Sequence, residues 1–296
     1  MNRFVGVILI VLSAAAFATL PILARFAYAE GLDALSLMFL RFSLSAVVLW
    51  AILFARREPL PRGGTLVRLI GMGAIGYVGQ AFAYLTALNY ASPGLVALLL
   101  YLYPVFVAIL SMIWLRESIS RLKIFALGLA LIGLFLTAGP EGGRLAGILL
   151  AVSAAGIYSV YIIVGTKVMQ QGSAIQSSAV IFLSAGVASS LLMLVNGAHL
   201  PKTGTAWAII AAIVLVATVL PVVTFLAGLR RIGATNAAML STLEPVVTVL
   251  LAALLLGEIL KPVALLGGGL ILAAVIILLR SELHRSAVDH VKEDVS

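Results

Sequence analysis

Residues 93–117 read PGLVALLLYLYPVFVAILSMIWLRE, and residues 234–258 read ATNAAMLSTLEPVVTVLLAALLLGE. From Pro93 to Leu115 the first stretch carries no charge, and from Ala234 to Leu256 the second carries only Glu244. Each is long enough to cross a bilayer core, which takes about 20 apolar residues. Each interrupts its apolar run with a proline, Pro104 or Pro245, and closes on a carboxylate, Glu117 or Glu258. One shift of 141 residues superposes both features.

Moving outward, the same shift lays Gly6 on Gly147, Gly31 on Gly172, Ser36 on Ser177, Leu88 on Leu229 and Gly128 on Gly269, without a gap. The chain therefore reads as a duplication, with halves at 1–140 and 141–280 and a polar tail at 281–296 expected to be flexible. Apolar stretches predict ten spans, at 4–24, 34–54, 67–88, 93–115, 122–137, 146–164, 175–196, 206–229, 234–256 and 263–279. Five spans per half is an odd number, so the second half enters the membrane from the opposite side. The expected fold is an all-α integral membrane protein of ten transmembrane helices, a 5+5 inverted repeat. Inverted repeats are a common plan in secondary transporters, with the binding site near the midplane between the halves.

Composition agrees. Of 296 residues, 63% are hydrophobic and 10% charged, and the mean hydropathy is +1.20. Soluble domains are nearer half apolar and a quarter charged. The net charge of +8 comes from cations dispersed between apolar runs, with no basic stripe for nucleic acid. Cytoplasmic loops are enriched in Lys and Arg. With the N-terminus inside, one side collects Arg3, Arg56, Arg57, Arg62, Arg68, Arg116, Arg121, Lys123, Lys167, Arg230, Arg231, Arg280, Arg285 and Lys292, whereas the other has Arg25, Arg144, Lys202 and Lys261. Both termini are expected to be cytoplasmic, in a multi-pass protein of the cell inner membrane. The opening resembles a signal peptide, with Asn2-Arg3 before an apolar run and Ala16-Phe17-Ala18 as a cleavage site. The repeat argues otherwise, because residues 6–31 correspond to the internal segment 147–172.

The segment Ala87-Leu-Asn-Tyr-Ala-Ser-Pro-Gly94, continuing through Tyr103-Pro104 to Leu115-Arg-Glu117, resembles the fourth helix of EamA-type transporters, in the drug/metabolite transporter superfamily. Glu244-Pro245 with Leu256-Gly-Glu258 resembles the ninth, and Arg41-Phe42 resembles the Arg-Phe pair of the second. The order and spacing of these short motifs carry the resemblance over nearly the whole chain. It implies a ten-helix inverted repeat around a central cavity and, mostly, metabolite export. Within the family the chain is most similar to the amino-acid exporters, including the aromatic amino-acid group.

Arg41 and Glu244 are the ionisable residues that lie well inside spans. Charge there is costly and usually pairs or marks a pathway. Arg41 lies about 10 Å and Glu244 about 18 Å from the outer ends of their helices, at about 1.5 Å per residue. They read either as a buried ion pair joining the halves or as a coupling pair, with Glu244 handling a proton or amino group and Arg41 facing a carboxylate. The repeat places them on Phe182 and Tyr103, so the duplicated scaffold requires neither charge.

Tyr77, Gln80 and Tyr84 share one helix face, as do Tyr158 and Tyr161. Ala237, Ser241, Glu244 and Thr248 form a small polar stripe. Packing is the bland explanation for these stripes; cavity lining is the functional one. Tyr101 and Tyr103 lie about 200° apart on an ideal helix, which predicts that one of them faces the cavity. Pro21, Pro104, Pro221 and Pro245 should bend their helices. The repeat-matched Pro104 and Pro245 read as static kinks or as gates. Glycines at 71, 73, 76 and 79 and at 267–269 suggest close helix packing or dimerisation, in a monomer or weak homodimer.

One intramembrane arginine is thin provision for a phosphate-bearing substrate. The supply of Tyr, Gln, Ser and Thr suits neutral or zwitterionic molecules, foremost amino acids, or small amphipathic drugs. No Walker lysine motif is present, so transport runs down a gradient or by ion or substrate exchange. The chain has no Cys, and His199, His284 and His290 fall outside the spans, which argues against an intramembrane enzyme and against any cofactor. A passive facilitator or channel is the remaining rival.

Overall fold

The computed structural model describes every residue except 1, 139–142, 197–199, 258, 260 and 294–296. The expected boundary at 140/141 and the repeat partner Glu258 lie outside the described residues. The chain folds as α1 (Arg3–Ala29), α2 (Ala34–Arg56), α3 (Gly63–Ala87), α4 (Leu95–Leu115), α5 (Arg121–Ala138), α6 (Leu145–Val168), α7 (Ala174–Leu194), α8 (Gly204–Ile232), α9 (Ala234–Leu256) and α10 (Pro262–Arg280). Among the described residues, nine of these helices are long and apolar enough to cross a membrane; α5, with 18 residues, stands at the remaining expected position. Helix α10 runs on to Glu293, so helix continues into the segment expected to be a flexible tail.

Side-chain caps start several helices. The Asp33 carboxylate accepts from the Ser36 amide at 2.7 Å and the Ser92 hydroxyl from the Leu95 amide at 3.3 Å. The Thr203 hydroxyl accepts from the Ala206 amide at 3.0 Å. Each satisfies a donor that a helix start leaves unpaired.

Three helices are discontinuous. α1 breaks between Phe17 and Leu20, α4 between Leu100 and Tyr103, and α9 between Leu240 and Leu243. A proline follows each break, Pro21, Pro104 or Pro245, and removes a donor from the helical ladder. At the α9 break the Ser241 carbonyl, which Pro245 cannot reach with an N–H, accepts from the Glu244 amide at 3.0 Å. Two further distortions sit at corresponding places: π-helical turns at Met72–Tyr77 in α3 and Leu215–Val219 in α8.

The main packed pairs are α1–α8, α1–α9, α2–α7, α2–α8, α3–α6, α3–α7, α4–α6, α4–α9 and α5–α10. Exchanging each helix with the one five places along maps this set onto itself. Loop contacts sort into two faces. On one, the Ser173 hydroxyl donates to the Glu58 carboxylate at 2.8 Å, the Gln176 amide donates to the Pro59 carbonyl at 2.9 Å, and the Thr65 hydroxyl meets the Gln171 side chain. On the other, the Arg144 amide donates to the Tyr90 carbonyl at 2.8 Å and the Thr203 hydroxyl meets Glu30. The first face carries the arginine-rich loops.

Glycine accounts for the tightest crossings. A Cβ on Gly133 would come within 2.5 Å of the Gly267 carbonyl oxygen, and one on Gly73 would collide with Ile181 and Ser184. Gly128 and Gly269, the pair matched by the repeat, face open space.

Candidate functional site

The break in α4, the break in α9 and the π-turn of α3 meet at a row of tyrosines. Tyr77 from α3 meets Tyr161 of α6 with ring centroids 5.7 Å apart. Tyr161 stacks on Tyr158 at 5.9 Å, Tyr158 meets Tyr103 of α4 edge-on at 4.8 Å, and Tyr103 meets Tyr101 at 6.0 Å. Edge-to-face and offset rings at these separations attract beyond their buried area. Phe42 and Phe182 close the row against Tyr77, at 5.2 and 5.8 Å.

The α4 break changes the expected positions of Tyr101 and Tyr103. An ideal helix would turn them apart. The two non-helical residues between Leu100 and Tyr103 bring both rings to one wall instead. Tyr103 is buried at 3% exposure and its hydroxyl donates to the Ala238 carbonyl at 3.4 Å, tying α4 to α9. Tyr101 is half-buried, and its hydroxyl faces the Glu244 carboxylate.

The row has a charge at each end. Glu244 lies within electrostatic range of Tyr77, Tyr84, Tyr101, Tyr103 and Tyr158. At the other end, Arg41 donates from Nε to the Thr218 hydroxyl at 2.8 Å and from Nη2 to the Tyr77 hydroxyl at 3.2 Å. Among the described residues no ion pair within 4.0 Å joins Arg41 to Glu244. The charge pair that depth suggested is replaced by two separate poles with tyrosines between them. Gln80, Tyr84 and Tyr158 are half-buried, and no hydrogen bond from the described residues reaches their polar atoms. Polar groups at this depth need partners. Accessible and unbonded, these groups are placed to take a ligand or water.

The stripe on α9 divides. Glu244 is half-buried, whereas Ser241 is buried and its hydroxyl donates back to the Ala237 carbonyl at 2.9 Å. Thr248 donates to the Ala18 carbonyl at 3.3 Å, stitching α9 to the break in α1. Ser241 and Thr248 therefore hold the broken helices rather than line open space. Pro104 and Pro245 stand just after their breaks, as their chemistry requires.

The EamA-like transporter family model matches the chain twice, over residues 4–139 and 145–280. The chain belongs to the EamA-like transporter family. It is similar to the uncharacterized transporter YcbK of Bacillus subtilis strain 168, 28% identical over 278 residues, which span 89% of each chain. It is also similar to an uncharacterized transporter of Archaeoglobus fulgidus, 29% identical over 274 residues, covering 90% of this chain and 94% of that one. A protein of known crystal structure, 20% identical, superposes with a TM-score of 0.81 over 93% of this chain and 96% of the other, a likeness of fold alone. The EamA chain is thus a multi-pass membrane protein, and its family and named relatives point to transport rather than enzymic chemistry.

On the arginine-rich face of this EamA fold two of the broken helices pack together. The segment of α4 after its break, Tyr103–Leu110, packs on Ala234–Leu240 of α9. Beyond it, Glu117 accepts from the Thr235 hydroxyl at 2.9 Å at the start of α9, where the helix dipole favours an anion. A hydrogen bond to a charged acceptor is worth about 1.5–3 kcal/mol. With Thr235→Val, a single cysteine at Ala238, fully buried here, is expected to react with a maleimide about tenfold faster, since about 1.4 kcal/mol is a tenfold shift in population. The cysteine-free chain makes that measurement clean. An unchanged rate would show that Glu117 does not hold this end closed.

Sequence reasoning did not single out Thr218 or Phe182 as parts of the site. A signal for Thr218 existed: the 141-residue shift lays it on Tyr77.

Proposed function

We propose that this chain is a secondary transporter that exports small neutral or zwitterionic metabolites, foremost amino acids, by alternating access. Ten spans form a 5+5 inverted repeat in the cell inner membrane, with the arginine-rich face and both termini in the cytoplasm. The two family matches, the self-mapping helix pairs and the excess of cations on one face support this arrangement.

One observation carries the substrate reading. Arg41 and Glu244 stand as separate poles at the ends of a tyrosine row, beside the unbonded polar groups of Gln80, Tyr84 and Tyr158. A zwitterion offers a carboxylate to Arg41 and an ammonium to Glu244, and the tyrosine rings beside the poles suit an apolar or aromatic body. Charges held apart in this way are costly without a ligand, which is how a site favours an opposite-charge pair.

Proteoliposome counterflow with a panel of amino acids tests the proposal. The expected result is saturable exchange that prefers large apolar or aromatic side chains. Flux that neither saturates nor exchanges would identify a passive channel. Preference for hydrophobic cations lacking a carboxylate would identify a drug exporter.

A further inference from the structure

The grip on Arg41 is built from equivalent points of the two halves. Tyr77 and Thr218 are separated by 141 residues, and each lies within a π-helical turn, at Met72–Tyr77 or Leu215–Val219. A π-turn widens the helix by one residue and leaves carbonyls out of the regular ladder. Thr218, fully buried, uses that opening: its hydroxyl donates to the Ile213 carbonyl, five residues back, at 2.7 Å. A hydroxyl has one proton to give. With that proton committed to Ile213, the Thr218 oxygen can only accept, and it accepts from Arg41 Nε at 2.8 Å. Tyr77 holds Nη2 at 3.2 Å, and the Phe42 ring lies under the guanidinium, 5.3 Å from its centre.

These bonds use two of the five guanidinium N–H groups. Arg41 is half-buried, and among the described residues no carboxylate pairs with it within 4.0 Å. An oriented guanidinium with N–H groups that the described residues leave unused, fixed where the two halves meet, is suited to an anion. We propose that Tyr77 and Thr218 clamp Arg41 as a carboxylate receptor and that Thr218 is the positioning residue setting the angle of the free edge. This rests on the transport reading and deepens it: ligands carrying a carboxylate are selected over otherwise identical ligands without one.

The test uses the full-length protein, with 3-phenylpropionate and its amide as probes. Thermal stabilisation in detergent reports binding, and counterflow of labelled phenylalanine in liposomes reports transport. The acid is expected to stabilise the wild-type protein at least about tenfold more effectively than the amide, the scale of one charge-assisted hydrogen bond. Thr218→Val should raise the half-saturating concentration of the acid about tenfold and leave that of the amide within about twofold. Thr218→Ser, which keeps the hydroxyl, should restore the wild-type value. Tyr77→Phe provides the same comparison from the other half if the valine variant does not fold. Equal stabilisation by acid and amide, or a Thr218→Val response identical for both, overturns the clamp. If counterflow is absent while the acid preference persists, the transport reading falls and the receptor stands; counterflow without any acid preference has the opposite meaning.

Discussion

Replacing Glu244 with Gln is expected to lower zwitterion counterflow about 100-fold while leaving the melting temperature unchanged or higher. The two halves of this expectation come from one observation. Glu244 is half-buried in the middle of α9, faces the Tyr101 hydroxyl and has no ion-pair partner within 4.0 Å among the described residues. A carboxylate held that way loses hydration and gains only the Tyr101 hydrogen bond and the longer-range attraction of Arg41, so neutralising it removes a cost from the folded protein. Had Glu244 been paired with Arg41, the same change would have orphaned a buried cation and cost about 3–5 kcal/mol of stability. For the ligand the sign reverses. Removing one partner of a desolvated charge pair costs about 2–5 kcal/mol, and about 2.8 kcal/mol is a factor of 100. The glutamine amide keeps the shape and carries no titratable proton, so any pH dependence of exchange that arises at this residue should flatten in the variant. A fall of about 5 °C or more in melting temperature, with counterflow preserved, would make Glu244 a structural residue and remove one pole of the site.

The sequence made the helices legible because each is an apolar run between polar loops, and their duplication legible because Pro104/Pro245 and the glycines keep register over 141 residues. Tyr158 and Tyr161 could be read from helical spacing alone, since their helix is regular there, whereas Tyr77 closes the π-turn of α3. Tyr101 and Tyr103 could not. Their relation depends on a two-residue break whose existence Pro104 implies but whose direction it does not. Of the two readings of Arg41 and Glu244, an ion pair or a coupling pair, the contact ion pair is not met among the described residues, for a similar reason. Depth along two helices says nothing about rotation, and the π-turns in α3 and α8, invisible in hydropathy, turn Tyr77 and Thr218 toward Arg41 first. Polar residues along one stripe of a span do not share one role. Ser241 and Thr248 lie on the same stripe as Glu244, yet both spend their hydroxyls on carbonyls at helix breaks.

Gly267→Val is expected to cost about 3 kcal/mol or more and to abolish the folded, monodisperse protein, whereas Gly128→Ala is expected to be neutral within about 0.5 kcal/mol. Glycine content does not distinguish the two positions, and the repeat singles out the wrong one, since Gly128 has its match in Gly269. What distinguishes them is the α5–α10 crossing. There Gly133 and Gly267 meet backbone to backbone: a Cβ on either would strike the other's carbonyl oxygen, and one on Gly267 would also sit 2.8 Å from the Thr137 amide nitrogen. Backbone cannot swing aside as a flexible side chain can, so the helices must part. In lipid their association rests on van der Waals contact rather than on hydrophobic exclusion, so parting them forfeits the packing itself. The repeat equivalents of Gly133 and Gly267 are Ala274 and Ala126, both buried, so the duplication preserves smallness at the axis and places glycine where the backbones touch. Size-exclusion profiles and melting temperatures of the two variants decide the matter. A well-folded Gly267→Val protein would mean that α5 and α10 do not cross at this distance in the membrane.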